Sequence, residues 1–194
     1  SYLRCLPYFA LLAPRDGGEL VQMMDMAEAW DGPVAIRFPR GAGAAPEHRI
    51  VHRPFGFGEA EMLADGDAGA LVGFGTMAYV ALEVRRRVEA ASGRRLAVVN
   101  ARFAKPLDEK LIGALWRDQP FVFTLEDHAV AGGFGAAVAE LGASGRLGRV
   151  DAARLGIFGI PDCFVDHGER VEQLASVGLD AATIAARVLE RLGA

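Results

Sequence analysis

Arg40 is the residue whose type and position best suit the binding of an anionic ligand. It stands in the segment Arg37-Phe38-Pro39-Arg40-Gly41, directly after an apolar run that predicts a buried strand over Val34–Phe38. α/β proteins bind ligands at the carboxyl ends of such strands, and a planar guanidinium matches a phosphate or carboxylate group. From the residues alone, a surface or interface ion pair explains Arg40 equally well. Arg37 lies within the predicted strand, and we expect it to make a structural ion pair.

A second polar cluster, Glu126-Asp127-His128, follows another predicted strand and precedes Gly132-Gly133. Such a cluster could serve in acid–base chemistry, and the glycine pair could present a helix N-terminus to an anion. Catalysis would also need an activated nucleophile or a metal partner, and the sequence has no second His or Cys cluster at ligand spacing. We therefore expect no catalytic and no metal-binding residue in this chain. The histidines are predicted to be surface or hydrogen-bonded structural residues: His48, His52, His128 and His167.

The segment Gly73-Phe74-Gly75-Thr76 joins a predicted strand to a predicted helix, which is the local setting of a phosphate-binding turn. It lacks the third glycine of a dinucleotide-binding motif and the Gly-Lys-Ser/Thr of a P-loop. No acidic residue ends the following strand, which closes with Val99-Asn100. A tight turn with Thr76 as the helix N-cap is therefore favoured. Lys105-Pro106-Leu107-Asp108 is predicted to turn into a second capped helix.

The elements that must position these residues form two parts. In the first, a strand over Phe9–Ala13 precedes a helix over Gly18–Trp30, and the strand over Val34–Phe38 follows. Spacing predicts that one face of this helix carries Leu20, Met23, Met24 and Ala27. Two strands and one helix cannot enclose a core, so we expect further chain upstream. Gly41–Pro46 has the composition of a linker.

In the second part, apolar runs alternate with helical patterns, which predicts a mostly parallel sheet with helices on both faces. Asp65-Gly66-Asp67 predicts a hairpin that joins strands over Gly58–Ala64 and Ala68–Phe74, the first of them an antiparallel edge. The remaining predicted strands are Leu96–Asn100, Phe121–Leu125 and Val150–Leu155. The predicted helices are Met77–Ala91, Asp108–Trp116, Gly133–Leu141, Arg170–Ala175 and Ala181–Leu192, the last capped by Asp180.

Composition indicates a cytoplasmic protein. The formal net charge of −4 gives no reason to expect nucleic acid or an anionic membrane as a partner. No apolar run has membrane-spanning length, and the opening residues do not form a secretory signal peptide. Cys5 and Cys163 lack metal or redox spacing and are expected to be free thiols in a reducing compartment.

Five of these segments resemble, in order and wording, the last third of the 1-deoxy-D-xylulose-5-phosphate synthases, members of the transketolase-like, thiamine-diphosphate-dependent family. They are Gly32–Gly41, Leu71–Met77, Val98–Glu109, Thr124–Val138 and Leu155–Gly168. The resemblance implies a fragment in which residues 1–46 end a parallel α/β middle domain of pyrimidine-binding type. Residues 47–194 would form a transketolase C-terminal-type domain, whose mostly parallel, five-stranded sheet has an antiparallel edge strand.

The resemblance also implies roles for particular residues. In the family, the last Arg of an Arg-Tyr-Pro-Arg-Gly motif binds the phosphate of glyceraldehyde 3-phosphate, a role that falls on Arg40; Phe38 stands where Tyr is usual. The loop over residues 126–135 would face the dimer and domain interface. Thiamine diphosphate and Mg²⁺ would be bound mainly by upstream sequence, so no cofactor-binding residue is assigned in this chain.

The whole enzyme implied by the resemblance is a homodimeric transferase. It condenses pyruvate with glyceraldehyde 3-phosphate, with loss of CO₂, in isoprenoid and thiamine biosynthesis, and this piece would be inactive without its upstream part. Two alternatives remain open. One is another enzyme of the superfamily, either transketolase or the β subunit of a 2-oxo-acid dehydrogenase. The other is an assembly module without catalysis, because a fold alone does not decide function.

Overall fold

The computed structural model of the protein describes residues 2–40 and 52–193, which form two sheets covered by helices. In chain order the strands are β1 (Ala10–Leu12), β2 (Val34–Ile36), β3 (Glu61–Ala64), β4 (Ala70–Gly73), β5 (Ala97–Asn100), β6 (Phe103–Lys105), β7 (Val122–Ala129) and β8 (Leu155–Ile160). The helices are α1 (Gly17–Ala29), α2 (Met77–Ser92), α3 (Glu109–Asp118), α4 (Phe134–Ala143), α5 (Arg170–Ser176) and α6 (Ala181–Leu192). None of the helices in these two ranges is long and apolar enough to cross a membrane.

The larger sheet has five strands in the order β3-β5-β4-β7-β8. All neighbouring pairs are parallel except β3 with β5, which confirms the mostly parallel sheet with an antiparallel edge strand. Every residue of β4 and of β5 is buried. Continuous apolar runs of this kind suit the interior of a parallel sheet, where helices cover both faces.

Two apolar cores, one on each face of this sheet, hold the helices in place. Trp116 of α3 and Val138 of α4 pack with Val72 and Val99 in one core. Val84 of α2 and Ile184 of α6 pack in the other. Side-chain caps fix where two helices begin, as predicted. Asp108 Oδ1 accepts the Leu111 N–H at 2.9 Å, and Asp180 Oδ1 accepts the Ala182 and Thr183 N–H groups at 3.0 Å.

The predicted hairpin between β3 and β4 is wrong, because β5 lies between them. The turn residues instead pack against the chain that leads into β5, where Asp67 and Ala68 both donate their N–H groups to the Arg95 carbonyl at 3.0 Å. Gly66 passes so close to the Leu96 backbone that a side chain would not fit. The wholly buried β5 takes the interior position, and the partly exposed β3 takes the edge.

The last strand is also displaced from its predicted position. Residues 152–154 form a short 3₁₀ turn, because the Asp151 carboxylate accepts the Ala153 N–H at 2.9 Å. The strand therefore runs over Leu155–Ile160 and not over Val150–Leu155.

The smaller sheet has the order β2-β1-β6, and its third strand was not predicted. β6 belongs to the second part of the chain and pairs antiparallel with β1. Its Phe103 is fully buried with Leu12 and with Met23 of α1. The later chain thus covers part of the apolar surface of the first part. Met24 is 59% exposed, contrary to its predicted place on the buried face of α1. The linker and the domain boundary at residues 46 and 47 lie outside the described residues.

A buried ionic cluster joins the two sheets at α1. The Glu19 carboxylate, which is fully buried, accepts hydrogen bonds from Arg15 N at 2.7 Å, Asn100 Nδ2 at 2.8 Å and Arg102 Nε at 2.7 Å. Both arginine side chains also pair with Glu61. Burial disfavours the charged guanidinium of Arg15, but the Glu19 and Glu61 carboxylates outweigh it and raise the pKa of Arg15. The two guanidinium groups are therefore paired with Glu19 and Glu61 inside the protein, and Arg15 Nε also lies 3.4 Å from Asp16 Oδ2.

Candidate functional site

A basic cavity of about 300 Å³ lies where β2, β7 and α5 meet, and we refer to it as the arginine cavity. Its lining includes three arginines and one carboxylate: Arg37, Arg40, Arg170 and Asp127. Arg40 follows β2 and is exposed, so the structure places it at the carboxyl end of a strand, as the sequence predicts. Arg37 comes one residue after the end of β2, and Arg170 begins α5.

Asp127 connects two of these arginines. Arg37 Nη1 pairs with Asp127 Oδ1, and Arg37 Nη2 donates to the Asp127 carbonyl at 2.7 Å. Arg170 Nη2 donates to Asp127 Oδ2 at 2.7 Å and to Thr76 Oγ1 at 2.8 Å. Burial of the carboxylate would raise its pKa, but the two guanidinium groups lower the pKa of Asp127 below its ordinary value. Asp127 is therefore ionised, and the predicted ion pair of Arg37 is confirmed.

A larger cavity of about 510 Å³ lies between the first residues of the chain and the loop after β7. Arg4 ties the two together, because its Nη1 donates to the Gly132 and Gly133 carbonyls at 3.1 Å each and its Nη2 pairs with Glu140. Arg37, Glu126 and His128 contribute to the lining. Arg37 therefore borders both cavities.

Glu126 holds the start of α4. Its two carboxylate oxygens accept the N–H groups of Phe134 at 2.7 Å and Gly135 at 2.8 Å. Burial raises the pKa of Glu126 to about 7, although these two N–H groups act in the opposite direction. With both oxygens engaged by the backbone, the carboxyl group is a loop anchor and is poorly placed to act as a general base.

We expect the stability of the protein to fall as pH rises from about 4.5 to 7 because of Glu126. Over this range the folded chain retains a proton that the unfolded chain releases, so deprotonation favours unfolding. Glu126→Gln keeps the shape and removes the titration. Urea denaturation at several pH values should therefore show the wild type losing about 3 kcal/mol more than the variant over this range. Parallel pH profiles for the two proteins would contradict the assignment.

The other predicted site residues have structural partners or lie at the surface. Thr76 precedes α2 as predicted, but its hydroxyl makes no cap hydrogen bond and instead accepts from Arg170. His52 Nε2 lies 2.5 Å from Asp16 Oδ1, and His128 Nδ1 lies 3.2 Å from the Ala129 carbonyl oxygen. His167 is exposed, and His48 lies outside the described residues. Cys5 and Cys163 are free and exposed.

Comparison with known proteins identifies the family. Residues 58–184 match the family model described as transketolase, C-terminal domain. The chain belongs to this family. It also matches the C-terminal part of 1-deoxy-D-xylulose-5-phosphate synthases: 44% identity to synthase 1 of Geobacter sulfurreducens over 96% of the chain, and 41% to the synthase of Pelotomaculum thermopropionicum over 98%. The chain spans 29% of the length of each of these relatives.

Solved structures agree with a transketolase C-terminal fold. One similar chain comes from a structure described as a split gene transketolase, inactive β4 tetramer. It superposes with a TM-score of 0.84 at 30% identity, covering 98% of this chain and 59% of the other. Transketolase from Campylobacter jejuni superposes with a TM-score of 0.69 at 20% identity, covering 97% of this chain and 27% of that one. At that identity the likeness concerns the fold alone.

Within this transketolase C-terminal domain, Arg170 is the member of the arginine cavity that the sequence did not single out. It stands 43 residues after Asp127 in the chain, and no local motif links the two. A basic residue at the start of a helix is usually expected to be a surface side chain that is hydrated by solvent. Only the packing of α5 beside β7 and β2 brings Arg170 to the same cavity as Arg37 and Arg40.

Proposed function

We propose that this chain is the C-terminal part of a 1-deoxy-D-xylulose-5-phosphate synthase. The complete enzyme would join two carbons of pyruvate to glyceraldehyde 3-phosphate and release the third as CO₂, a step in isoprenoid and thiamine biosynthesis. The observation that carries this proposal is the match to such synthases at 38–44% identity over nearly the whole chain. The match extends through both parts of the chain and includes the region that contains Arg40.

Arg40 is proposed to bind the phosphate of glyceraldehyde 3-phosphate. Its guanidinium is exposed at the end of β2, and the part of the chain that the structure describes offers it no hydrogen-bond acceptor. A phosphate is well matched to such a fork, because two parallel N–H···O bonds can form with two of its oxygens. The neighbouring ion pair between Arg37, which follows β2, and Asp127 of β7 would hold the two sheets together next to the bound substrate.

Thiamine diphosphate and Mg²⁺ would be held by sequence outside residues 1–194. Among residues 2–40 and 52–193, no group of three or more His, Cys, Asp or Glu side chains could hold a metal ion. When bound, the cofactor supplies the electron sink for decarboxylation, and the protein contributes binding and orientation. This chain would contribute a phosphate contact and much of the scaffold, with no catalytic residue of its own.

The upstream part of the enzyme is the proposed partner, within a cytoplasmic homodimer. Several large apolar side chains in the first part of the chain remain exposed: Tyr2, Tyr8, Val21, Met24 and Trp30. If these side chains form one patch, another segment or subunit would be expected to cover it, since soluble proteins seldom leave a large apolar patch exposed. This chain spans only 29% of the length of the relative in Geobacter sulfurreducens, so the complete enzyme would have further sequence available to cover such a surface.

Transketolase is the second candidate, because the structural match with a TM-score of 0.84 is to a transketolase chain. The two reactions differ in their donor: the synthase decarboxylates pyruvate, whereas transketolase moves a two-carbon unit from a ketose phosphate without loss of CO₂. An assembly module without catalysis would process neither donor. Product analysis of the complete protein therefore separates all three possibilities.

We expect the complete protein, supplied with thiamine diphosphate and Mg²⁺, to form deoxyxylulose phosphate from pyruvate and glyceraldehyde 3-phosphate. One CO₂ should appear for each product molecule, which labelled pyruvate would measure. Residues 1–194 alone serve as the control and should show no turnover, in keeping with the description of the split-gene relative as inactive. Turnover of ketose phosphates without CO₂ would favour transketolase, and turnover by residues 1–194 alone would refute the fragment proposal.

A further inference from the structure

The charges that line the arginine cavity do not balance. Arg37, Arg40 and Arg170 bring three positive charges, and Asp127 brings one negative charge, so two positive charges remain unmatched among these residues. The rest of the lining is mostly apolar and includes Ile160, Val165 and Leu174, with Gln173 as a polar member. Apolar walls strengthen the attraction between these guanidinium groups and an anion, because they limit screening by water. The cavity is thus suited to a small group with about two negative charges.

The hydrogen bonds within the cavity leave donors available for such a group. Arg170 uses only its Nη2 for Asp127 and Thr76, so its Nε and Nη1 have no acceptor among residues 2–40 and 52–193. Arg37 uses both Nη atoms for Asp127, and within the same residues its Nε has no acceptor. The side chains of Arg37 and Arg170 are 41% and 36% exposed, so a ligand in the cavity can reach them.

Asp127 fixes the orientation of both side chains. Each of its two carboxylate oxygens pairs with a different arginine, one from the first part of the chain and one from α5. Both guanidinium groups are therefore held in place before a ligand binds, which reduces the entropy lost on binding. A phosphate monoester has three terminal oxygens and about two negative charges, so it can accept from more than one fork and match the two unpaired positive charges, whereas a carboxylate carries only one charge.

We propose that Arg170 is a second phosphate-binding residue beside Arg40, and that Asp127 is a positioning residue that holds Arg170 and Arg37 toward the same phosphate. This proposal rests on the proposed function and adds residues that would determine the preference for a phosphorylated acceptor. The phosphate preference, defined as the ratio of kcat/KM for glyceraldehyde 3-phosphate to that for D-glyceraldehyde, would depend on the cavity as well as on Arg40. Glyceraldehyde carries the same aldehyde without the phosphate.

The test uses the complete protein. Arg170→Met should lower the phosphate preference roughly ten-fold, since one charge-assisted contact is lost, and should weaken inhibition by inorganic phosphate. Arg170→Lys should recover part of the preference, because it restores the charge without the fork. Asp127→Asn separates the effect of orientation from that of charge. If Asp127 acted only through its negative charge, the variant would bind phosphate more tightly. Because we propose that Asp127 positions the arginines, we expect the variant to bind phosphate more weakly.

Arg85→Met is the matched control, because Arg85 is also partly buried and pairs with a carboxylate, Glu89, but does not line the cavity. It should leave the phosphate preference unchanged, and melting temperatures would show that the variants are folded. An unchanged preference in Arg170→Met, together with a loss in Arg40→Ala, would overturn this proposal and leave the proposed function standing. If the complete protein lacks synthase activity, calorimetry with inorganic phosphate decides: equal affinity in the wild type and Arg170→Met would overturn it.

Discussion

Replacing Glu19 with alanine is expected to lower the free energy of unfolding by about 3–5 kcal/mol, because it removes one partner of a buried ion cluster. Glu19 is fully buried and accepts hydrogen bonds from Arg102 Nε and Asn100 Nδ2. Without it, Arg102 would keep Glu61 as its carboxylate partner, and Arg15 would keep Glu61 and the more distant Asp16. Urea denaturation followed by circular dichroism measures the effect.

Glu28→Ala is the matched control for this measurement. Glu28 lies on the same helix but is exposed, so its replacement should change the free energy of unfolding by no more than about 0.5 kcal/mol. Glu19→Gln keeps one carbonyl acceptor and removes the charge, and we expect an intermediate loss. If Glu19→Ala lowers the free energy of unfolding no more than Glu28→Ala does, the buried ionic cluster does not stabilise the contact between the two sheets.

Arg40→Ala is expected to raise the Michaelis constant for glyceraldehyde 3-phosphate about ten- to a hundred-fold in the complete enzyme and to change that for pyruvate little. A charge-assisted, bidentate contact contributes about 1.5–3 kcal/mol, and only one of the two substrates carries a phosphate. Steady-state kinetics with each substrate varied in turn measure both constants.

Two further variants make this comparison specific. Arg40→Lys should recover only part of the lost affinity, because an ammonium group cannot reproduce the planar fork. Arg86→Ala removes an exposed arginine that pairs with Glu83 on α2 and should affect neither constant. Equal increases for pyruvate and glyceraldehyde 3-phosphate in Arg40→Ala would indicate that Arg40 has a structural role.

Much of the fold could be predicted from the sequence, because local patterns determine it. Apolar runs located β4 and β5, and the period of apolar residues located α2. The bounds of α6 agree with the prediction at both ends, since Asp180 caps its start and Gly193 adopts a left-handed conformation after its end.

The features that could not be predicted depend on contacts between distant residues. The hairpin signal at Asp65-Gly66-Asp67 is local, but the buried β5 displaced β4 as the neighbour of β3. β6 is three residues long, and only its pairing with β1 makes it a strand. Helical spacing and apolar character predict Met24 on the buried face of α1, but it is exposed, whereas the polar Glu19 lies in the interior because it accepts from Arg102 and Asn100.

In the candidate site, too, local patterns predict some residues, whereas others depend on contacts between distant parts of the chain. Arg40 could be found because it follows a strand, which is where α/β proteins place ligand-binding groups, and Arg37 was expected to form an ion pair from its place within the predicted strand. The partner of Arg37 could not be found, because Asp127 is 90 residues away in sequence. Arg170 could not be found either, because it reaches the cavity only when β2, β7 and α5 come together in the folded chain.

Phosphate binding by Arg40 is tested most directly by comparing two acceptor aldehydes in the complete wild-type enzyme and in Arg40→Ala. With glyceraldehyde 3-phosphate, kcat/KM should fall about ten- to a hundred-fold in the variant, because the phosphate contact is lost. With D-glyceraldehyde, which has no phosphate, kcat/KM should be the same in both proteins. An equal loss with both aldehydes would contradict the claim that this chain supplies the phosphate contact of the synthase.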